Sequence, residues 1–347
     1  MRLGYMGSPA ISARLLQALL ESPHTVEFVV SNPDSPRGRS AKLQPTEVSE
    51  VALQHGLPLL RPETLKNGAI TAELAAFQVD LIVVFAYGRL LPADVFELPP
   101  AGTINLHASL LPLLRGASPI QSALLEGFTE TGWSVQFIGQ GMDTGDVLAE
   151  TRLAIDPEET AGELGERLVP VGIQLVLETI DRLAATYAQG GDVRALGTPQ
   201  DESVATHCRK ITTEMSQINW HRPAREIHNL VRAFHPRPVA RTAILSEGSL
   251  LKIHRTRVLA DADQKPALRY LDSAEPVPTP ELAPGSMVAA RMDSENENSG
   301  PKLIVTTADG LLEVLELQPE NRKKLTAKDF LNGYRTVGPV LLGSITK

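Results

Sequence analysis

The chain has few of the residues that staple or metallate a fold. It carries one cysteine, Cys208, in 347 residues. A single thiol excludes an intramolecular disulfide and a paired-cysteine metal knuckle. There is no HExxH and no His/carboxylate cluster at ligand spacing, so no metal is expected. No run of about eighteen apolar residues occurs, which argues against a membrane span. The opening MRLGYMGSPA passes directly into a strand without a long apolar signal core, and a cytoplasmic protein is expected. GYMGS also lacks the second and third glycines of a dinucleotide fingerprint, so no nicotinamide site is expected there. A net charge of −8 argues against a general nucleic-acid coat.

What the chain does have is length and an uneven charge. Hydrophobic residues make up 42% of it, as suits a globular fold, and the length accommodates two domains with separate cores. Residues 1–204 carry 13 Lys and Arg against 25 Asp and Glu, a net of −12. Residues 205–347 carry 20 against 16, a net of +4, with five of the eight histidines. A basic domain appended to an acidic one points to a polyanionic partner for the appended part. Chance division over solvated faces is the alternative. The candidate basic surface comprises Arg322, Lys323, Lys324, Lys328 and Arg335, with Arg237, Arg241, Lys252, Arg255 and Arg257. Its contacts would fall on phosphates and weaken with salt.

Periodicity gives an alternating order of strands and helices. Strands are expected at Arg2–Gly7, Thr25–Ser31, Asp80–Phe85 and Thr103–His107, the third continuously apolar as a parallel strand is. Ile11, Leu15, Leu16 and Leu19 give Ala10–Leu20 the spacing of a helix. Pro45–His55, Ala69–Phe77 and the stretch from Pro119 to Glu126 are also helical. Trp133–Ile138 and Val147–Leu153 form a hairpin, and Thr160–Tyr187 a long helix interrupted at Pro170. This is an α/β class chain with an open, mostly parallel, Rossmann-like sheet, whose ligand crevice lies beyond the carboxyl ends of the strands.

The polar, glycine-rich stretch Gln189–Ser203 is expected to be a linker. The domain bounds are therefore 1–188, a linker at 189–204, and 205–347. In the last part a helix at Pro223–Phe234 precedes five short strands, Val239–Ser246, Leu250–Arg257, Gly285–Ala290, Leu303–Thr307 and Leu311–Gln318. These suggest a small OB-like β-barrel. Asp261–Pro284, rich in proline and alanine, is expected to be a loop insertion.

The chemistry concentrates in TINLHASLLPLLRGASPI, Thr103 to Ile120, and in MDTGD from Met142. Residues two apart on a strand share a face, so Asn105 and His107 point the same way. One is an amide able to donate to an oxyanion, the other a base near neutral pH. Asp143, in a glycine-rich turn, could return to hold or charge the imidazole. The trio suits acyl transfer without a metal. Taken alone, the same residues are also compatible with a satisfied polar strand end and an ordinary turn.

NLHASLLPLLRGASPI resembles the signature of the formyltransferases that use 10-formyltetrahydrofolate, N-x-H followed by S-L-L-P-x-x-R-G-x-x-P-I. NPDSPRGRSAKLQPTEV, VVFAYGRLLP, THCRKITTEMSQINW, VRAFHPRPVA and GLLEVLELQPENRKKLTAKDFLNGYR resemble further segments of the methionyl-tRNA formyltransferases, so the resemblance covers almost the whole chain. It departs from the usual pattern at Leu113 and Leu114, at Arg237, and at Pro9-Ala10-Ile11.

The resemblance implies a formyltransferase sheet and a catalytic trio of Asn105, His107 and Asp143. It implies 10-formyltetrahydrofolate as the formyl donor, bound by Phe85, Ala86, Tyr87, Ser109, Leu110, Leu111, Pro112, Gly139 and Asp143. The acceptor would be the α-amine of initiator methionyl-tRNA, and the product N-formylmethionyl-tRNA for translation initiation. The loop carrying Arg37, Arg39 and Lys42 would close on the tRNA, and Arg322, Lys323 and Lys324 would bind it. Arg115 would be structural, bonding backbone carbonyls near the loop. No membrane or obligate protein partner is implied. The alternatives are formyl transfer to a small amine such as a nucleotide-linked aminosugar, hydrolysis of formyl-folate, and a non-enzymatic RNA-binding module.

Overall fold

The computed structural model describes residues 1–36, 42–260, 268–270, 282–292, 301–333 and 340–344. The chain divides into two compact units. The first holds Met1–Pro119, Glu130–Ala154 and Glu166–Lys210; the second holds Ile120–Thr129, Ile155–Gly165 and Ile211–Lys347.

The first unit is built on a seven-stranded sheet. Its order is Val147–Ala154, Glu130–Phe137, Thr103–His107, Leu81–Phe85, Arg2–Gly7, Thr25–Val30, Leu59–Leu60. The strands from Thr103–His107 to Leu59–Leu60 run parallel. The remaining two are antiparallel, as the expected hairpin requires. Every residue of Leu81–Phe85 is buried, which explains its unbroken apolar sequence: helices cover a parallel sheet on both faces. Helix Ala10–Leu20 buries Ala13, Leu15, Leu16 and Leu19. Helix Glu47–Gln54 starts at Thr46, whose hydroxyl accepts from the Ser49 amide, satisfying one orphan donor of the first turn.

Two expectations change here. The helix Ala161–Ala188 runs through Pro170 without a break. Proline removes one amide donor and frees the carbonyl four residues earlier, here that of Glu166. Both residues are exposed, so water can take the freed carbonyl. Packing supplies the rest: Leu168, Val169, Val176, Ile180 and Leu183 are all buried. Trp133 Nε1 donates to Leu168 O at 2.7 Å. A Cβ at Gly172 would lie 2.7 Å from the same indole nitrogen, so glycine permits the approach.

The second change is in the expected linker. Residues 189–204 belong to the first unit. They form 3-10 turns at Val193–Leu196 and Glu202–Val204, capped by the side chains of Asp192 and Asp201. Thr198 bridges to Val147. The polar composition serves hydrogen bonds to the unit's own backbone rather than chain flexibility.

The second unit is a closed barrel of antiparallel strands. Ala240–Ile244, Val340–Gly343, Ser286–Met292, Lys302–Thr306, Leu311–Pro319 and Ser249–Ala260 follow one another round the ring, and the last pairs with the first. Closure removes the exposed edges that an open sheet of short strands would present. Five of these strands are the expected ones. Val340–Gly343 is the sixth; its four residues are too few to show an alternation. Leu268–Tyr270 pairs with Ala290–Met292, so the expected loop insertion contributes a short strand. Most of that insertion lies outside the described residues. Helix Ala224–Ala233 sets Ile227 and Val231 into a core with Ile218, Trp220, Ile253, Val305, Leu312, Leu317 and Phe330. Among the described residues no helix is long and apolar enough to cross a membrane.

Candidate active site

Thr103–His107 is the strand at which the sheet changes from parallel to antiparallel pairing. Asn105 stands opposite Gln136, and His107 opposite Ser134. Directly opposed residues share a face, so these four side chains line one side of the sheet at the carboxyl end of the strand. Asn105 is half-buried and His107 is only 6% exposed.

The imidazole lies between two acceptors. Its Nε2 is 3.0 Å from Leu114 O and donates there, because a carbonyl can only accept. Its Nδ1 is 3.6 Å from Asp143 Oδ2, an ion-pair separation slightly beyond a hydrogen bond. With Nε2 committed as a donor, Nδ1 can donate toward the carboxylate only in the imidazolium. The Asp143 carboxylate is held from two other directions. Gly116 N donates to Oδ2 at 2.9 Å and Gln136 Nε2 to Oδ1 at 3.0 Å. Asp143 has φ 55°, a left-handed conformation that aspartate tolerates better than most residues.

The loop after the strand is shaped by its own polar groups. Ser134 Oγ donates to Ser109 O at 2.8 Å and accepts from Leu111 N at 3.0 Å. Ser109 Oγ donates to Leu113 O at 2.6 Å. The loop closes on a short parallel ladder, Arg115–Gly116 with His207–Cys208. Gly116 has φ 118°, and a Cβ there would lie 2.4 Å from Cys208 O, so the signature needs glycine at this place. Arg115 is buried, but among the described residues its partners are side chains rather than backbone carbonyls. It bonds Gln200 through Nε and Nη2 and Glu202 through Nη1 and Nη2. The guanidinium holds the Glu202 carboxyl below the usual carboxylate range.

The other expected residues are placed unevenly. Ser109 and Leu111 are buried, and Leu110 and Pro112 are half-buried. Phe85 packs edge-on against Trp133 with ring centroids 5.4 Å apart. Tyr87 is buried within an apolar cluster, which pushes its hydroxyl pKa up. Those two side chains are committed to the core. Ala86, exposed with φ 50°, is the residue of the run open to a ligand. Gly139 has no atom within 4 Å of a Cβ position and is similarly open.

Of the expected tRNA-binding residues, Arg37 and Arg39 lie outside the described residues, as does Arg335, while Lys42 is exposed. Arg322, Lys323 and Lys324 are exposed, with Lys324 Nζ 2.7 Å from Glu316 Oε2. No group of three or more His, Cys, Asp or Glu side chains able to hold a metal occurs among the described residues. Ser134, Gln136 and Gln200 were not singled out in the sequence. Alternation along Glu130–Phe137 places the first two on one face, but only the register shows which face that is.

A polar strand end of this kind in an open α/β sheet, followed by a closed barrel, is the plan of a formyl transferase. Residues 3–180 match the family model described as Formyl transferase, and residues 210–335 match Formyl transferase, C-terminal domain. The chain is 39% identical over 334 residues to a methionyl-tRNA formyltransferase of Symbiobacterium thermophilum, covering 96% of this chain and 92% of that protein. It is 40% identical over 339 residues to a methionyl-tRNA formyltransferase of Leptospira interrogans, covering 96% and 98%. The chain belongs to the methionyl-tRNA formyltransferase family and is an enzyme. In fold it is similar to the N-formyltransferase of Helicobacter canadensis solved with folinic acid and dTDP-3-aminofucose. That match has a TM-score of 0.57 at 17% identity, covering 90% of this chain and 98% of the other.

Proposed function

We propose that the enzyme transfers the formyl group of 10-formyltetrahydrofolate to the α-amino group of initiator methionyl-tRNA, with Asn105, His107 and Asp143 as its catalytic residues. The observation that carries this reading is the convergence of the three at one strand end, where His107 lies 3.6 Å from Asp143 and shares a sheet face with Asn105. The folate supplies an activated formyl group. Ala86 and Gly139, both open to a ligand, fit its binding there, with the Ser109–Pro112 loop along its edge.

As the amine attacks, negative charge develops on the formyl oxygen. The Asn105 amide donates to that oxygen, an interaction stronger in the transition state than before it. His107 takes a proton from the attacking amine and returns one to N10 of the folate as the formyl carbon–N10 bond breaks, so that tetrahydrofolate leaves. The Asp143 carboxylate, fixed by Gly116 N and Gln136 Nε2, faces His107 Nδ1 and orients the ring toward the reacting amine.

The basic residues give the tRNA its place. Arg322, Lys323 and Lys324 on the second unit meet phosphates, and the loop with Arg37, Arg39 and Lys42 meets the acceptor end. Formyl transfer from 10-formyltetrahydrofolate to charged initiator tRNA tests the reading, with charged elongator methionyl-tRNA, free methionine and a nucleotide-linked aminosugar as controls. Transfer to the aminosugar in preference to the tRNA would overturn it.

A further inference from the structure

Gln200 lies in the stretch whose composition suggests a linker, yet its side-chain amide joins two parts of the site. Nε2 donates to the main-chain oxygens of Asp143 and Gly145, at 2.9 and 2.7 Å, with Gln136 Oε1 at 3.3 Å. Oε1 accepts from Arg115 Nε at 3.0 Å and Nη2 at 2.8 Å. Arg115 is 2% exposed and is held again by Glu202, so it is a fixed anchor. The residue after Arg115 is Gly116, whose amide donates to the Asp143 carboxylate.

We infer that Gln200 is a positioning residue for formyl transfer: it ties the main chain of the Asp143 turn to Arg115 and so keeps the Asp143 carboxylate in place against His107. This rests on the reading of Asp143 as catalytic.

The turn has reason to need such a tie. Asp143 sits in the left-handed region at φ 55°, which costs aspartate less than most residues but still favours surroundings that hold it there. Two carbonyls of the turn, at 143 and 145, find their partner in the one Gln200 amide. Without it they turn to water and the strain is free to relax. The separation from His107 Nδ1 is already 3.6 Å, so little further movement is tolerable. A misplacement of roughly 1 Å can cost about 10²-fold in rate. Gln136 still grips Oδ1 from the sheet side, so loss of Gln200 alone should cost less than that.

The competing role for Gln200 is architectural, as an acceptor for Arg115. Two variants separate them. Gln200→Glu keeps an acceptor for the guanidinium but sets carboxylate oxygens against the two carbonyls. Gln200→Met keeps the length and offers neither function. Both are expected to lower kcat by about tenfold, with KM for the folate near the wild-type value. In an Asp143→Asn background, Gln200→Met should cost less than about twofold more, because both changes act through one carboxylate.

Wild-type kcat in Gln200→Glu would overturn the inference and leave only the Arg115 contact. Full additivity of Gln200→Met with Asp143→Asn would overturn it as well. Asp143→Asn at the wild-type rate would instead sink the catalytic reading itself, and the inference with it.

Discussion

The two units use their polar side chains in opposite ways. In the first, they are buried or half-buried at a strand end and hold one another: His107, Asp143, Gln136, Gln200 and Arg115 form a chain of contacts, the His107–Asp143 link an ion-pair separation and the others hydrogen bonds. In the second, Arg322 and Lys323 stand exposed. The polar groups this unit does bury serve its own fold. His228 Nδ1 accepts from the Thr256 hydroxyl at 3.1 Å, and its Nε2 donates to Pro157 O at 3.0 Å. Arg232 bonds Asn229 Oδ1 and Asp156 O. Chemistry at one carbon atom needs groups held to within a fraction of an ångström. Attraction to phosphates works through a field that falls slowly and needs no fixed rotamer.

The comparison can be broken most sharply at the strand end. Asn105→Ala should lower kcat by roughly 10²–10³, the cost of a lost oxyanion donor. His107→Ala should lower it by about 10² or more, the scale of a lost acid–base group. Binding of the folate, followed by equilibrium dialysis, should change little in either. A folded His107→Ala enzyme turning over at near-normal rate removes His107 from the mechanism. A loss in Asn105→Ala confined to folate affinity removes the oxyanion role.

The Asp143 turn offers the next largest effect. A Cβ at Gly145 would lie 1.8 Å from Phe137 O, a backbone atom of the sheet that cannot move away cheaply. Gly145→Ala is expected to cost about 1–3 kcal/mol in unfolding free energy, as overpacking does, and to lower kcat by displacing Asp143. Unchanged stability in chemical denaturation would mean that the turn is more plastic than its contacts suggest.

These effects bear on what a sequence can disclose. The strands Arg2–Gly7 and Thr103–His107 and the helix Ala10–Leu20 have the bounds their periodicity implies. The shared face of Asn105 and His107 follows from a spacing of two, which survives any tertiary context. Gln136 and Gln200 could not be found that way. Their roles depend on the register of an antiparallel strand and on a segment 57 residues from Asp143 in the chain, and no local pattern encodes either. The same holds for Arg115. Its guanidinium was expected to meet backbone carbonyls, but the returning segment supplies the side chains of Gln200 and Glu202 instead. Pro170 misleads for a related reason: its local preference is to break a helix, and tertiary packing overrides it.

The basic surface gives a smaller effect and a different kind of readout. Reversing Arg322 and Lys323 to Glu should weaken tRNA binding and leave folate binding unchanged. If each meets one phosphate, the slope of log affinity against log salt should become shallower by roughly 0.9 for each lost contact. Filter binding across a salt series measures it. An unchanged affinity and slope would show that the tRNA does not lie on these residues, and that the charge division of the chain is chance.

The smallest expected effect separates the units by their response to mild acid. Burial holds three histidines of the second unit, His228, His235 and His254, below the usual histidine range, and neighbouring positive groups add to it in each. In the first unit burial likewise holds His24 below that range. A histidine with a lowered pKa binds fewer protons folded than unfolded, so its stability contribution is intact above the ordinary value of about 6.5 and is lost as pH falls below it. The second unit should therefore lose more stability than the first between about pH 6.5 and 5. This lies above the range in which Glu163 and Glu316, whose carboxyls are held below the ordinary value, would take up protons. Each proton can change the folding constant by at most about tenfold per pH unit, and the partial exposure of His235 and His254 makes their share smaller. Amide hydrogen exchange at pH 7 and 5.5, resolved by segment, measures both units in one sample. Protection in the barrel strands should fall more than in Leu81–Phe85 and Arg2–Gly7, and His228→Gln should reduce the difference. Equal losses in the two units would show that burial in the barrel does not set its response to acid.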